Sequence, residues 1–131
     1  MGADLPERWR PPVEVRPAIR AVCERLLPVI RVAARQHGYA IGAHGSFERD
    51  LDVIACPWAE EASDAKELVR AVQSALADEL GVEVVRSGDV GQKPHGRQVW
   101  TMIILDYDHA VTVRSTAGSH PFIDFSVMPR R

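Results

Sequence analysis

The sequence predicts an α+β fold in which two main helices pack on one sheet of short strands. Three observations carry this. Apolar residues recur at helical spacing over two stretches, from Pro17 to Gly38 and from Asp64 to Gly81. Short apolar runs at 39–44, 51–55, 82–86, 99–105 and 122–128 are separated by polar or glycine-bearing segments, as strands are. The composition, 46% apolar and 26% charged over 131 residues, belongs to an ordered globule large enough to bury a core without disulfide or metal staples.

The same numbers exclude some function classes. A formal net charge of −2 leaves no broad basic field for nucleic acid, although local basic clusters remain. Cys23 and Cys56 are far apart, lack metal-type spacing and have apolar neighbours, so both read as reduced core residues. No run is long enough to span a membrane, and no secretory stretch follows Met1. Gly2 opens a myristoylation pattern that Pro6 breaks. A cytoplasmic protein is expected.

Residues 1–16 are polar and proline-bearing and read as an N-terminal arm, with Trp9 available to tack it to a surface; 17–131 read as a single domain. In the first helix Val22, Leu26, Val29, Ile30 and Ala33 form the apolar stripe, and Gly38 is placed to stop it. Pro28 lacks the N–H that a helix interior uses, so a kink or break is expected there. Arg20, Arg25, Arg31 and Arg35 fall on the wet face.

Tyr39–His44 is the first strand and runs into a Gly45-Ser46 turn. Leu51 to Ala55 form the second, closed by Cys56-Pro57-Trp58. The next helix is well punctuated: Asp64 with Glu67 three residues on suits an N-terminal cap, Ala65, Leu68, Val69, Val72, Leu76 and Leu80 share a face, and Gly81 stops it. Residues 82–86 make a short strand. Residues 87–97 read as a long glycine-bearing loop whose Lys93, His95 and Arg97 either grip an anion or are simply solvated. After the strand at 99–105, residues 106–121 form a polar excursion with a strand-like piece at 110–114. The last strand is 122–128.

Candidate chemistry begins at Asp50 and Asp52. Side chains at i and i+2 of a strand point the same way, so these two acids share a face while Leu51, Val53 and Ala55 take the other. Two carboxylates aimed together beside a glycine turn make a divalent-metal site; the bland reading is a pair of turn-forming, solvated aspartates. Asp124 interrupts the apolar run Phe122-Ile123-Asp124-Phe125-Ser126-Val127, where a charge is costly unless paired or bound to a cation. If the two strands are neighbours, three carboxylates converge. Asp106 and Asp108 repeat the spacing and are a rival pair, ranked lower because turn-forming residues surround them. None of His37, His44, His95, His109 and His120 has zinc-site spacing; His44 and His95 each precede a glycine near the supposed cleft.

These residues resemble a family. Gly45-Ser46 followed by Asp50-Leu51-Asp52, with a later apolar strand carrying Asp124, is similar to the nucleotidyltransferase superfamily related to DNA polymerase beta. Three phrases are also similar to short nucleotidyltransferase-like proteins of phages and prophages: His44-Gly45-Ser46 to Trp58, Lys93-Pro94-His95-Gly96-Arg97, and Ile123 to Arg130. The resemblance runs from about Tyr39 onward and implies a minimal nucleotidyltransferase-like mixed sheet. It implies Asp50, Asp52 and Asp124 as metal ligands and catalytic residues, Mg2+ as cofactor, and a nucleoside triphosphate held by Gly45 and Ser46 with help from Arg49, Lys93 and Arg97.

Two departures stand out. Only Phe47, Glu48 and Arg49 separate Ser46 from Asp50, and seven residues follow Asp124, with no helical domain to complete a nucleotide pocket. A second copy or another protein is expected to supply that wall. Three readings stay open: a magnesium-dependent transferase acting on a hydroxyl acceptor, a catalytically silent binding or regulatory module of phage origin, and a metal-dependent nuclease.

Overall fold

The computed structural model describes residues 13, 16–47, 50–86, 91–105 and 122–130. Helix α1 (Arg16–Gln36) presents Ile19, Val22, Cys23, Leu26, Ile30, Ala33 and Ala34 to the core. Burying each of the larger side chains contributes about 1.5–3 kcal/mol. Of the kink or break expected at Pro28, the break does not occur: α1 runs on through it as one helix. Pro28 is exposed, so water can serve the carbonyl one turn back that it leaves without a donor.

Gly38 ends the helix in the left-handed region, at φ 84°. A Cβ there would lie 2.8 Å from the Cα of Ala62, so only glycine fits both the angle and the space. The Gly38 carbonyl accepts from the N–H groups of Trp58 and Ala59, and Ser63 N–H donates to the carbonyl of His37. The Tyr39 hydroxyl donates to the Ser63 carbonyl at 2.7 Å. These bonds fasten the end of α1 to the segment that leads into the second helix.

That helix, α2 (Ala65–Leu80), is capped as its sequence predicts. Asp64 accepts from the Glu67 N–H at 2.9 Å, and Gly81, at φ 69°, closes the other end with its N–H on the Ala77 carbonyl. Leu68, Val69, Val72 and Leu76 are fully buried. Arg25 of α1 reaches across to Glu79 at 3.1 Å, an exposed pair that adds little to stability.

The strands are β1 (Tyr39–His44), β2 (Leu51–Pro57), β3 (Val84–Arg86), β4 (Gly91–Lys93), β5 (Arg97–Ile104) and β6 (Phe122–Val127). They form one six-stranded sheet in the order β1-β2-β6-β5-β3, with β4 also paired to β5. The sheet is mixed: β2 and β6 run parallel, and the other pairs are antiparallel. Both helices cover one face. On that side Leu51, Val53, Ala55, Ile123, Phe125, Trp100 and Met102 join the buried helix residues in a single core.

Part of the expected 87–97 loop is ordered pairing instead. Gly91–Lys93 lies antiparallel to β5, and a 3-10 turn at Pro94–Gly96 joins the two strands. Cys56 also departs from its reading as a core residue: it is exposed, whereas Cys23 is buried. Position 56 has the parity of positions 52 and 54, which puts it on the sheet face away from the helices. The arm at 1–12, with Trp9, and the excursion with Asp106, Asp108 and 110–114 lie outside the described residues. No described helix is long and apolar enough to cross a membrane.

Candidate metal centre

Strand register builds the site. Alternation sends Leu51 and Val53 into the core and Asp52 to the open face; it does the same for Ile123, Phe125 and Asp124. In the parallel β2–β6 pair Asp52 is the register partner of Asp124. On the outer side of β2, Asp52 faces His44; on the far side of β6, Asp124 faces Thr101. His44, Asp52, Asp124 and Thr101 thus form a straight row across four adjacent strands. Asp50, just before β2 begins, comes in at the end of this row and is 7% exposed.

One oxygen from each of Asp50, Asp52 and Asp124 lies within 4.8 Å of the others. Asp50 Oδ2 is fully buried with no hydrogen bond among the described residues, although Asp50 is not without other interactions. The Thr101 hydroxyl donates to Asp124 Oδ1 at 3.4 Å, a long bond that still orients the carboxylate.

The electrostatics follow from the crowding. Burial, then repulsion from Asp50 and Asp124, then a hydrogen bond shared with Asp124 raise the Asp52 pKa from 3.8 to about 6, with His44 opposing. The buried Cys23 thiol of α1 feels the same acids: burial first, then Asp50 and Asp52, push it up to about 12. Such concentrated negative charge is what a cation would relieve.

In comparisons with known proteins, no family model matches the chain and no curated protein matches it. Its chemistry has to be argued from the site.

The turn before the acids is unusual in its backbone. Gly45 has φ 94° and Phe47 φ 64°, so the residues flanking Ser46 both lie in the left-handed region. A Cβ on Gly45 would stand 3.6 Å from Asp52 Oδ2, which puts the turn directly against the acid row. Phe47 pays for its strained angle by packing partly against the core.

The other residues marked in the sequence are placed elsewhere. Lys93 and Arg97 are register partners at the β4–β5 hairpin. Arg97 precedes Gln98, which pairs with Val127, three residues along β6 from Asp124 and so about 10 Å from the row. His95 sits in the hairpin turn with φ 69°, exposed. Arg49 lies outside the described residues.

Thr101 is the residue that sequence reasoning passed over. A signal was there: it is the one hydroxyl in the otherwise apolar run 99–105, just as Asp124 is the one carboxylate in its own strand. A groove of about 790 Å³ lies at the opposite end of β2 and β6, between Cys56, Trp58, Glu60, Met128 and Arg130. It is remote from the acids.

Three clustered carboxylates form an all-oxygen donor set. That set suits a hard divalent cation, which takes oxygen ligands and keeps several waters. The residues present could therefore hold a metal ion of this class.

Proposed function

We propose that the protein is a magnesium-dependent nucleotidyltransferase that moves a nucleotidyl group from a nucleoside triphosphate to a hydroxyl acceptor. The observation that carries this reading is the convergence of Asp50, Asp52 and Asp124, with oxygens mutually within 4.8 Å, beside a turn that holds Gly45 and Ser46. Clustered acids that can hold a cation, next to a glycine turn that lets a phosphate approach the main chain, support it.

On this reading Asp50 and Asp52 hold the cation, and Asp124 is the third ligand and helps activate the acceptor hydroxyl. Bound there, magnesium supplies neutralisation of the charge that develops on the attacking and leaving oxygens of an in-line displacement. Thr101 holds the Asp124 carboxylate in one orientation through its hydroxyl. Gly45 permits close approach of a phosphate to the main chain, and Ser46 offers a hydroxyl to it. Arg49, Lys93 and Arg97 are assigned as helpers that add positive charge around the triphosphate.

The test is thermal. With Mg2+ present, at least one of the four nucleoside triphosphates should raise the melting temperature, and replacing Asp50 and Asp52 together with Ala should abolish the shift. No shift with any triphosphate refutes the proposal. Phosphodiester cleavage without triphosphate would mark a nuclease instead, and partner capture that survives loss of the acids would mark a binding module.

A further inference from the structure

Among the described residues, strand β1 is an edge of the sheet. Among them it pairs with β2 alone, through an unbroken register from Tyr39 opposite Pro57 to His44 opposite Asp52. Its outer side therefore offers a row of backbone donors and acceptors that only another strand can fill in full.

Natural sheets blunt such edges with lysine, proline, bulges or very short strands. The opposite margin of this sheet follows that habit, because the strands lining β5 there carry basic residues, Arg86 in β3 and Lys93 in β4. β1 has none of these devices. Tyr39, Ala40, Ile41, Gly42, Ala43 and His44 include no lysine, arginine, acid or proline, and the register with β2 has no bulge. Ile41 and Ala43 are only half-covered, although they pack on the core side.

We propose that β1 is a homodimerisation strand, two copies pairing antiparallel about a two-fold axis at Gly42. The strand is complementary to itself in that register. Ala40 then faces His44 of the second copy and Ile41 faces its Ala43, so a small residue meets a larger one and no like charges oppose each other. Directly opposed residues of an antiparallel pair point to the same side. Both helical layers consequently fall on one face, where Ile41 and Ala43 of the two copies cover each other, and both acid clusters fall on the other.

The arrangement adds to the metal centre as well. The row of His44, Asp52, Asp124 and Thr101 continues into Ala40 and Cys56 of the second copy, since Ala40 and Cys56 are register partners. That copy extends the floor of the site on the His44 side. Strand spacing and rise put the two Asp52 residues roughly 20 Å apart on one continuous surface.

The full chain in sedimentation velocity, between about 10 and 300 µM, should show a species of twice the monomer mass. Gly42 has nothing within 4 Å of where a Cβ would stand, so substitution there leaves the fold intact. Gly42→Lys sets two ammonium groups against each other at the axis and should give monomer with an unchanged circular dichroism spectrum.

In a Cys56→Ser background, Gly42→Cys should oxidise to a covalent dimer, because facing residues of an antiparallel pair fall in the disulfide range of Cα separations. Ser74→Cys on exposed α2 should not. A monomeric wild type, a dimer that survives Gly42→Lys, or equal cross-linking at Ser74 would each overturn the proposal. A monomer would leave this edge to a strand of some other protein.

Discussion

Asp52 and Asp124 oppose each other as register partners across the parallel β2–β6 pair, and each adds to the crowding of charge around the other. The Asp52 pKa is raised to about 6, first by burial and then by the charges of Asp50 and Asp124.

The sign of the pH dependence follows. Asp52 binds its proton more tightly folded, at about 6, than unfolded, near 3.8, so its contribution to stability is present at low pH and lost as pH rises through 6. A cation needs the carboxylate form, and its affinity should fall about tenfold per unit below pH 6. Melting temperatures of metal-free and Mg2+-loaded protein, measured from acid to neutral pH, should diverge as pH rises. Parallel curves would contradict the assignment. Asp52→Asn should stabilise the metal-free protein at neutral pH by about 1 kcal/mol, less than the shift would convert to in a dry interior because Asp52 is partly open to water.

Thr101 should matter to the metal rather than to the fold. Thr101→Val keeps the shape of the side chain and removes the hydroxyl that orients Asp124. We expect about a 10-fold loss of Mn2+ affinity by titration, on the scale of lost outer-shell partners. Stability should change little, and Thr101→Ser should restore binding. A Val variant with native affinity would leave this hydroxyl without a role.

Gly38 should tolerate no side chain. Alanine would be strained at φ 84° and would press on the Cα of Ala62, where no flexible group can yield. Gly38→Ala should cost about 2–4 kcal/mol in urea unfolding. A cost below about 1 kcal/mol would mean that the contact with Ala62 relaxes freely.

The two thiols should react very differently. Cys23 is buried, with its pKa pushed up to about 12, while Cys56 is exposed. A thiol reagent should modify one cysteine in the native protein and two after unfolding. Rapid double modification of the native state would show that α1 opens away from the core.

Much of this molecule was legible in its sequence because the relevant physics is local. The cap at Asp64, the stop at Gly81 and the alternation that sends Leu51 and Val53 inward depend on neighbours a few residues away. The same parity divides Asp124 from Ile123 and Phe125. What parity cannot reveal is which strand lies beside which. The neighbourhood of β2 and β6, on which the acid cluster depends, joins distant segments, and only the sheet order displays it. Thr101 escaped notice for that reason, since its importance comes from facing Asp124. Cys56 was misjudged because apolar neighbours in sequence say less about burial than the side of the strand does.

The sheet order bears on how the protein is made. β6, the last of the described strands, occupies the middle of the sheet, between β2 and β5. While a ribosome is still adding residues before 122, β2 lacks its β6 neighbour, and among the described residues the two halves of the sheet are joined mainly through the packing of α1 on α2. Assembly must wait for that closing segment, so a chain cut short of it should fail as a whole instead of losing a dispensable end.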